Sequence, residues 1–238
     1  MSEYFLHNKL LFMNAQKAET LVQWYLRFNG YFTVENFIVH AGDDSARISR
    51  QVVGNHTETD VLGIRHKHTR EVSGSLYVAN DFLLQIENAP DVDFVIAEVK
   101  TGNQDKPNKI WSEGNVSVIA YIIRFAGFVE KEEEINELSK LVAQNGEYTH
   151  SSNKYSIRLL IFSESDLNKN WRHLKNIKLV DVVEFLVRVR GESWINAGLG
   201  VASVHYQWDP LINSIFEVAN NFNLSLDERR KEIFSLLT

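Results

Sequence analysis

Glu98 and Lys100 stand two residues apart at the end of an apolar stretch, Phe94-Val95-Ile96-Ala97, with Val99 between them. In an extended chain residues i and i+2 share a face, so carboxylate and ammonium point the same way. Placing either charge near a core strand is costly unless it is paired or bound to something. A divalent cation offsets that cost. Hard oxygen ligands suit magnesium, which commonly takes one or two carboxylates and keeps waters and a substrate phosphate as its remaining ligands. Asp60, inside Glu58-Thr59-Asp60-Val61-Leu62-Gly63, supplies a second carboxylate if its segment lies beside the first.

With 31 acidic and 25 basic residues in the chain, a lone acid-x-Lys triplet carries no information. The plain alternative is a surface ion pair between Glu98 and Lys100. Position gives the triplet its weight. It ends the most apolar strand, an Asp precedes it on another strand, and a polar loop and a helix follow it.

The elements that must position these residues are legible in the pattern. Asn14 is a good N-cap and Gly30 a good residue just past a C-cap, and Ala18, Leu21, Val22, Tyr25, Leu26 and Phe28 recur between them, which predicts a helix. Residues 31–40 and 59–65 read as strands, with a turn at 42–45; 69–88 is ambiguous. The near-continuous apolar run over 93–100 predicts a strand buried on both faces. A polar loop over 101–109 leads to helices over about 112–125 and 130–144. Then come a strand over 155–162, a helix over 177–190, and a last helix opened by a Ser225/Glu228 capping box. The order implies an α/β fold with a central mixed β-sheet flanked by helices. A core over 1–165 and a mainly helical C-terminal extension over 166–238 is the expected division.

Bulk properties narrow the classes. The chain has 238 residues, 44% of them apolar, with 14 Phe and 5 Trp, enough for a large core. The absence of cysteine excludes disulfides and thiolate metal sites. The N-terminus lacks the basic flank of a signal peptide, and the run over 116–129 is broken by Arg124, so a soluble, cytoplasmic protein with no membrane partner is expected. Net charge is −6, which counts against a protein that coats nucleic acid through its phosphates. Basic residues nevertheless recur between Arg47 and Lys109, while acids crowd 130–137.

Ala97-Glu98-Val99-Lys100-Thr101, preceded by Thr59-Asp60-Val61-Leu62, resembles the core motif of the PD-(D/E)xK nuclease superfamily, which includes restriction endonucleases and Holliday junction resolvases. The opening helix with Glu19 and the Asn29-Gly30-Tyr31 exit fits the same pattern, over about 15–125 plus the strand at 155–162. Thr59 stands where the motif has proline. The resemblance implies a restriction endonuclease-like core with extra C-terminal helices, and a metal-dependent endonuclease hydrolysing phosphodiester bonds, in DNA ahead of RNA. It implies that Asp60, Glu98 and the Val99 carbonyl hold Mg²⁺, with Mn²⁺ as a substitute. Lys100 would orient or deprotonate the attacking water, and Glu19 would bind a second metal or its water shell.

Around that set, Lys106, Lys109, His66 and Lys67 are candidate nucleic-acid contacts. Trp111 could stack a base but reads more simply as packing at a helix start. His66 and His68 lack the clustered ligands that zinc needs. His40 and His56 carry no reading, and Gly198-Leu199-Gly200 follows no trusted strand. The rival class is a non-catalytic nucleic-acid-binding or interaction module on the same fold. A nuclease effector of a defence or toxin system, acting with protein partners, is a third reading. A homodimer is compatible with each.

Overall fold

A computed structural model describes residues 12–39, 57–69, 72–73, 76–77, 81–108, 111, 116–192 and 209–238. The features noted at His40, 42–45, Arg47, His56, Lys109, 112–115 and 198–200 lie outside the described residues.

Helix α1 (Ala15–Phe28) begins where the Asn14 side chain accepts the Lys17 N–H at 3.2 Å, satisfying one of the amides a helix start leaves open. Its stripe of Ala18, Leu21, Val22, Tyr25 and Leu26 is buried against the sheet. Gly30 leaves the helix at φ +85°, and a Cβ there would lie 2.7 Å from Thr69 Cγ2.

Strands β1 (Phe32–Val39) and β2 (Thr57–His66) form an antiparallel pair. A small hairpin, β3 (Val72–Ser73) with β4 (Leu76–Tyr77), occupies part of the ambiguous stretch. Strand β5 (Val92–Lys100) lies antiparallel to β2 and parallel to β7 (Tyr155–Ser163). Helices α2 (Val116–Ala126) and α3 (Glu132–Asn145) make the crossover that a parallel pair requires. Two short strands, β6 (Glu147–Thr149) and β8 (Lys175–Lys178), share the far edge of β7, one on each half. Among the described residues the result is a six-stranded mixed sheet, order β1-β2-β5-β7-β6 with β8 also on β7. The α/β class expected from the sequence is therefore present.

Helix α4 (Leu179–Glu184) starts two residues later than the periodicity predicts, because Ile177 and Lys178 belong to β8. It continues as a π-helical stretch to Glu192, and α5 (Pro210–Ala219) and α6 (Leu226–Leu237) follow. The expected boundary at 165 falls between β7 and β8, which are hydrogen-bonded partners. The Asn14 N–H also donates to the Leu237 carbonyl at 2.8 Å, tying the two ends of the described chain together.

Two cores follow from strand alternation. Val95, Ala97, Leu160 and Phe162 pack with α1, α4, α5 and α6 on one face. Phe94, Ile96, Leu159 and Ile161 pack with α2 and α3 on the other. A strand buried on both faces cannot alternate polar with apolar, which is why β5 and β7 read as unbroken hydrophobic runs. Glu98 and Lys100 continue the Phe94–Ile96 side, at the C-terminal end of β5.

Candidate metal site

Pairing of β2 with β5 ends at Val61–Ala97, one residue before Asp60. Beyond it β5 stays paired with β7 as far as Lys100–Ser163, so only its β2 side is left without a ladder. The Asp60 side chain fills that gap: its Oδ2 accepts the Val99 N–H at 2.6 Å. The β1–β2 ladder is irregular at the same level. Asn36, between the Glu35–Val61 and Phe37–Thr59 pairs, has φ +51°, a left-handed conformation that asparagine tolerates better than most residues.

Glu98 is 2% exposed and Lys100 5%. The Glu98 Oε1 accepts from Lys100 Nζ at 2.6 Å and from the Asn108 N–H at 2.7 Å. Lys100 Nζ also donates to Asn108 Oδ1 at 2.6 Å. Among the described residues, Glu98 Oε2 is buried without a hydrogen-bond partner. A buried carboxylate oxygen left this way loses its hydration with nothing in return. The ion pair of the plain reading is therefore present, but it is buried rather than at the surface.

Burial pushes the Glu98 carboxyl above the ordinary carboxylate range, against the opposing pull of Lys100 and the Asn108 N–H. Burial also raises Asp60, with the Val99 N–H and Lys100 acting against it. Glu19, on α1, is raised by burial first and then by Asp60, Glu58 and Glu35, with Lys100 lowering it. The Glu19 carboxylate makes no hydrogen bond or ion pair among the described residues. Its reach to the site is electrostatic. The structure therefore brings Asp60, Glu98, Val99 and Lys100 together and sets Glu19 nearby.

The other candidates separate. Lys106 is exposed on the loop after β5, close in sequence to Asn108, while Lys109 lies outside the described residues. His66 and Lys67 are exposed at the opposite end of β2, six and seven residues from Asp60, a span of roughly 20 Å along a strand. Lys67 pairs with Asp91 at 3.5 Å. Trp111 is 5% exposed and packs in the α2/α3 core, as its simpler reading had it.

Two residues that sequence inspection passed over shape the site. Asn108 binds both partners of the Glu98–Lys100 pair, and no local pattern marks an asparagine eight residues past a strand as their partner. Glu164, just after β7, lies beside the end of β5, where its own N–H donates to the Lys100 carbonyl at 3.1 Å. Its carboxylate is committed elsewhere, Oε1 accepting the Met13 N–H at 3.1 Å and Oε2 the Gly102 N–H. Glu164 thus fastens the loop after Lys100 to the start of α1.

Among the described residues no group of three or more His, Asp or Glu side chains is close enough to cage a metal by itself. Two carboxylates and waters suffice for magnesium, and the orphaned Glu98 Oε2 has the chemistry to be one such ligand. Fold and site together define an α/β protein with a polar, carboxylate-bearing notch where two core strands part. Comparison with models of known families, with curated proteins and with solved structures finds no match.

Proposed function

We propose that this chain is a divalent-metal-dependent nuclease, hydrolysing phosphodiester bonds in DNA ahead of RNA. The observation that carries the reading is Glu98: a buried carboxylate with one oxygen used by Lys100 and Asn108 and the other unpartnered among the described residues. Asp60 and Glu98 are the residues that would hold Mg²⁺ or Mn²⁺, with the Val99 carbonyl as a further oxygen. When bound, such an ion makes water a stronger nucleophile at neutral pH and offsets charge developing on a phosphate. Lys100, fixed between two acceptors, presents its ammonium beside Glu98, where it would hold a phosphate oxygen or the attacking water. Glu19 would contribute through the field it shares with Asp60.

A restriction endonuclease-like fold belongs to the same proposal. It is supported by antiparallel β1-β2-β5 followed by parallel β7, with α1 on one face and the α2–α3 crossover on the other. The rival reading, a non-catalytic interaction module, is favoured by one observation. Glu19, Glu35 and Glu58 add negative charge around Asp60, which repels a polyanion unless a cation is bound.

The test uses wild type, Asp60→Ala, Glu98→Ala and Lys100→Ala with supercoiled, linear and branched DNA and with RNA, in Mg²⁺, Mn²⁺ or chelator. Metal-dependent cleavage lost in all three variants supports the proposal. Cleavage unchanged by the substitutions overturns the site. No cleavage and no calorimetric metal binding leaves the interaction module as the reading.

A further inference from the structure

The opposite face of the sheet from Glu98 carries a second polar centre. Asp93, 2% exposed, accepts from Arg158 Nε at 3.0 Å and Nη2 at 2.6 Å, from Ser156 Oγ at 2.9 Å and from Arg65 Nη2 at 3.2 Å. Tyr31 also donates to Asp93, and Arg158 Nη2 reaches the Tyr31 hydroxyl at 2.8 Å. These bonds fix the Arg158 guanidinium through two of its three nitrogens. Nη1 has no partner among the described residues.

That guanidinium lines an open cavity of about 500 Å³ together with Lys175, Arg172, His173, Glu147 and Glu87. Arg158 is 3% exposed and Lys175, on β8, is half-buried, whereas Arg172, His173, Glu147 and Glu87 are exposed. The buried depth is therefore cationic and the rim mixed. The Lys175 ammonium makes no hydrogen bond or ion pair among the described residues. Burial first and Arg158 second pull its amine below the ordinary lysine range, while Glu147, Asp93 and Asp81 pull the other way. Two adjacent cations with spare donors in a partly desolvated cavity are a costly arrangement that an oxyanion relieves.

We propose that this cavity binds a small molecule through a single phosphate or similar oxyanion, held by Arg158 Nη1 and Lys175 Nζ, with Arg172 closing over it. The exposed Glu147 and Glu87 disfavour extended polyanions at the rim and leave acceptors for an amine or hydroxyl of the ligand. The site is independent of the metal notch, since Arg158 lies on the face of Leu160 and Phe162 while Glu98 lies on that of Phe94 and Ile96.

The test titrates the full chain with inorganic phosphate and, separately, with a nucleoside monophosphate. Chloride at matched ionic strength is the control, and melting temperature and amide chemical shifts are the readouts. Saturable stabilisation is expected, weakened about tenfold or more by Lys175→Met and by Arg172→Gln, each of which removes a charge-assisted contact. Arg172 is exposed, so its variant stays informative if Lys175→Met does not fold. Asp60→Asn should bind phosphate as wild type does. A mononucleotide that binds more tightly than free phosphate assigns a phosphorylated metabolite, and equal binding assigns the free oxyanion. Absence of saturable binding, equal binding by both cavity variants, or displacement of phosphate only by an oligonucleotide would overturn the proposal.

Discussion

Asp60→Asn separates a metal site from a structural carboxylate more cleanly than any other substitution in the notch. Asparagine keeps an oxygen for the Val99 N–H, the one side-chain hydrogen bond of Asp60 among the described residues, and removes only the charge. In the metal-free protein that charge is unfavourable, because burial raises the carboxyl and Glu58 adds to it, against the Val99 N–H and Lys100. A group whose pKa is raised on folding holds its proton more tightly in the folded state. Metal-free stability should then fall as pH climbs from the ordinary carboxylate range through the raised value. Glu98 and Glu19 are raised as well and contribute with the same sign.

The asparagine variant should therefore be more stable than wild type in chelator at neutral pH, by on the order of 1 kcal/mol, the size typical of a single stabilising substitution. For a chain of this size that corresponds to roughly 2–4 °C in Tm. Its stability should also fall less steeply with pH. Metal should reverse the ranking: at about 100 times Kd, binding would stabilise wild type by about 2.7 kcal/mol, and the variant should gain almost none of it. Thermal and urea unfolding across neutral and mildly acidic pH, in chelator and in Mn²⁺ or Mg²⁺, measure both halves. A variant no more stable than wild type in chelator, or one stabilised by metal as fully as wild type, would refute the reasoning.

Two further outcomes follow from the hydrogen bonds. Asn108→Ala removes the oxygen that holds Lys100 Nζ but keeps the backbone N–H on Glu98, so kcat should drop by about tenfold with metal affinity unchanged. Asn108→Asp should restore it, and the alanine change should have no further effect in a Lys100→Ala background, a double-mutant cycle read from cleavage rates. Asp93→Asn leaves Arg158 and Arg65 without their shared counter-charge in the core. It should cost about 3–5 kcal/mol by urea denaturation, without moving metal affinity if the fold is held by added osmolyte.

Local physics made several elements readable. The Asn14 cap, the helical stripe from Ala18 to Phe28 and the Gly30 exit lie within a few residues of one another, so α1 was predictable almost to its ends. The same holds for α6, whose Ser225/Glu228 capping box is present as expected. Strand β5 announced itself because burial on both faces demands an unbroken apolar run. By contrast, β6 and β8 are three and four residues long and largely polar, and edge pairing to β7 is all that makes them strands.

The candidate site divides in the same way. By itself the sequence determined that Glu98 and Lys100 share a face, since period-two alternation is a property of any strand, and it singled out Asp60 as their companion. Only the tertiary structure decided that β2 and β5 part just at Asp60, that Asn108 folds back onto the Glu98–Lys100 pair, and that Glu98 keeps one buried oxygen unpartnered among the described residues. It also set His66 and Lys67 at the far end of β2 and joined Asp93 to Arg158 across 65 positions of chain. Spacing along a chain encodes direction within one element. Proximity between elements depends on register, strand divergence and loop return, which arise only when the whole core packs.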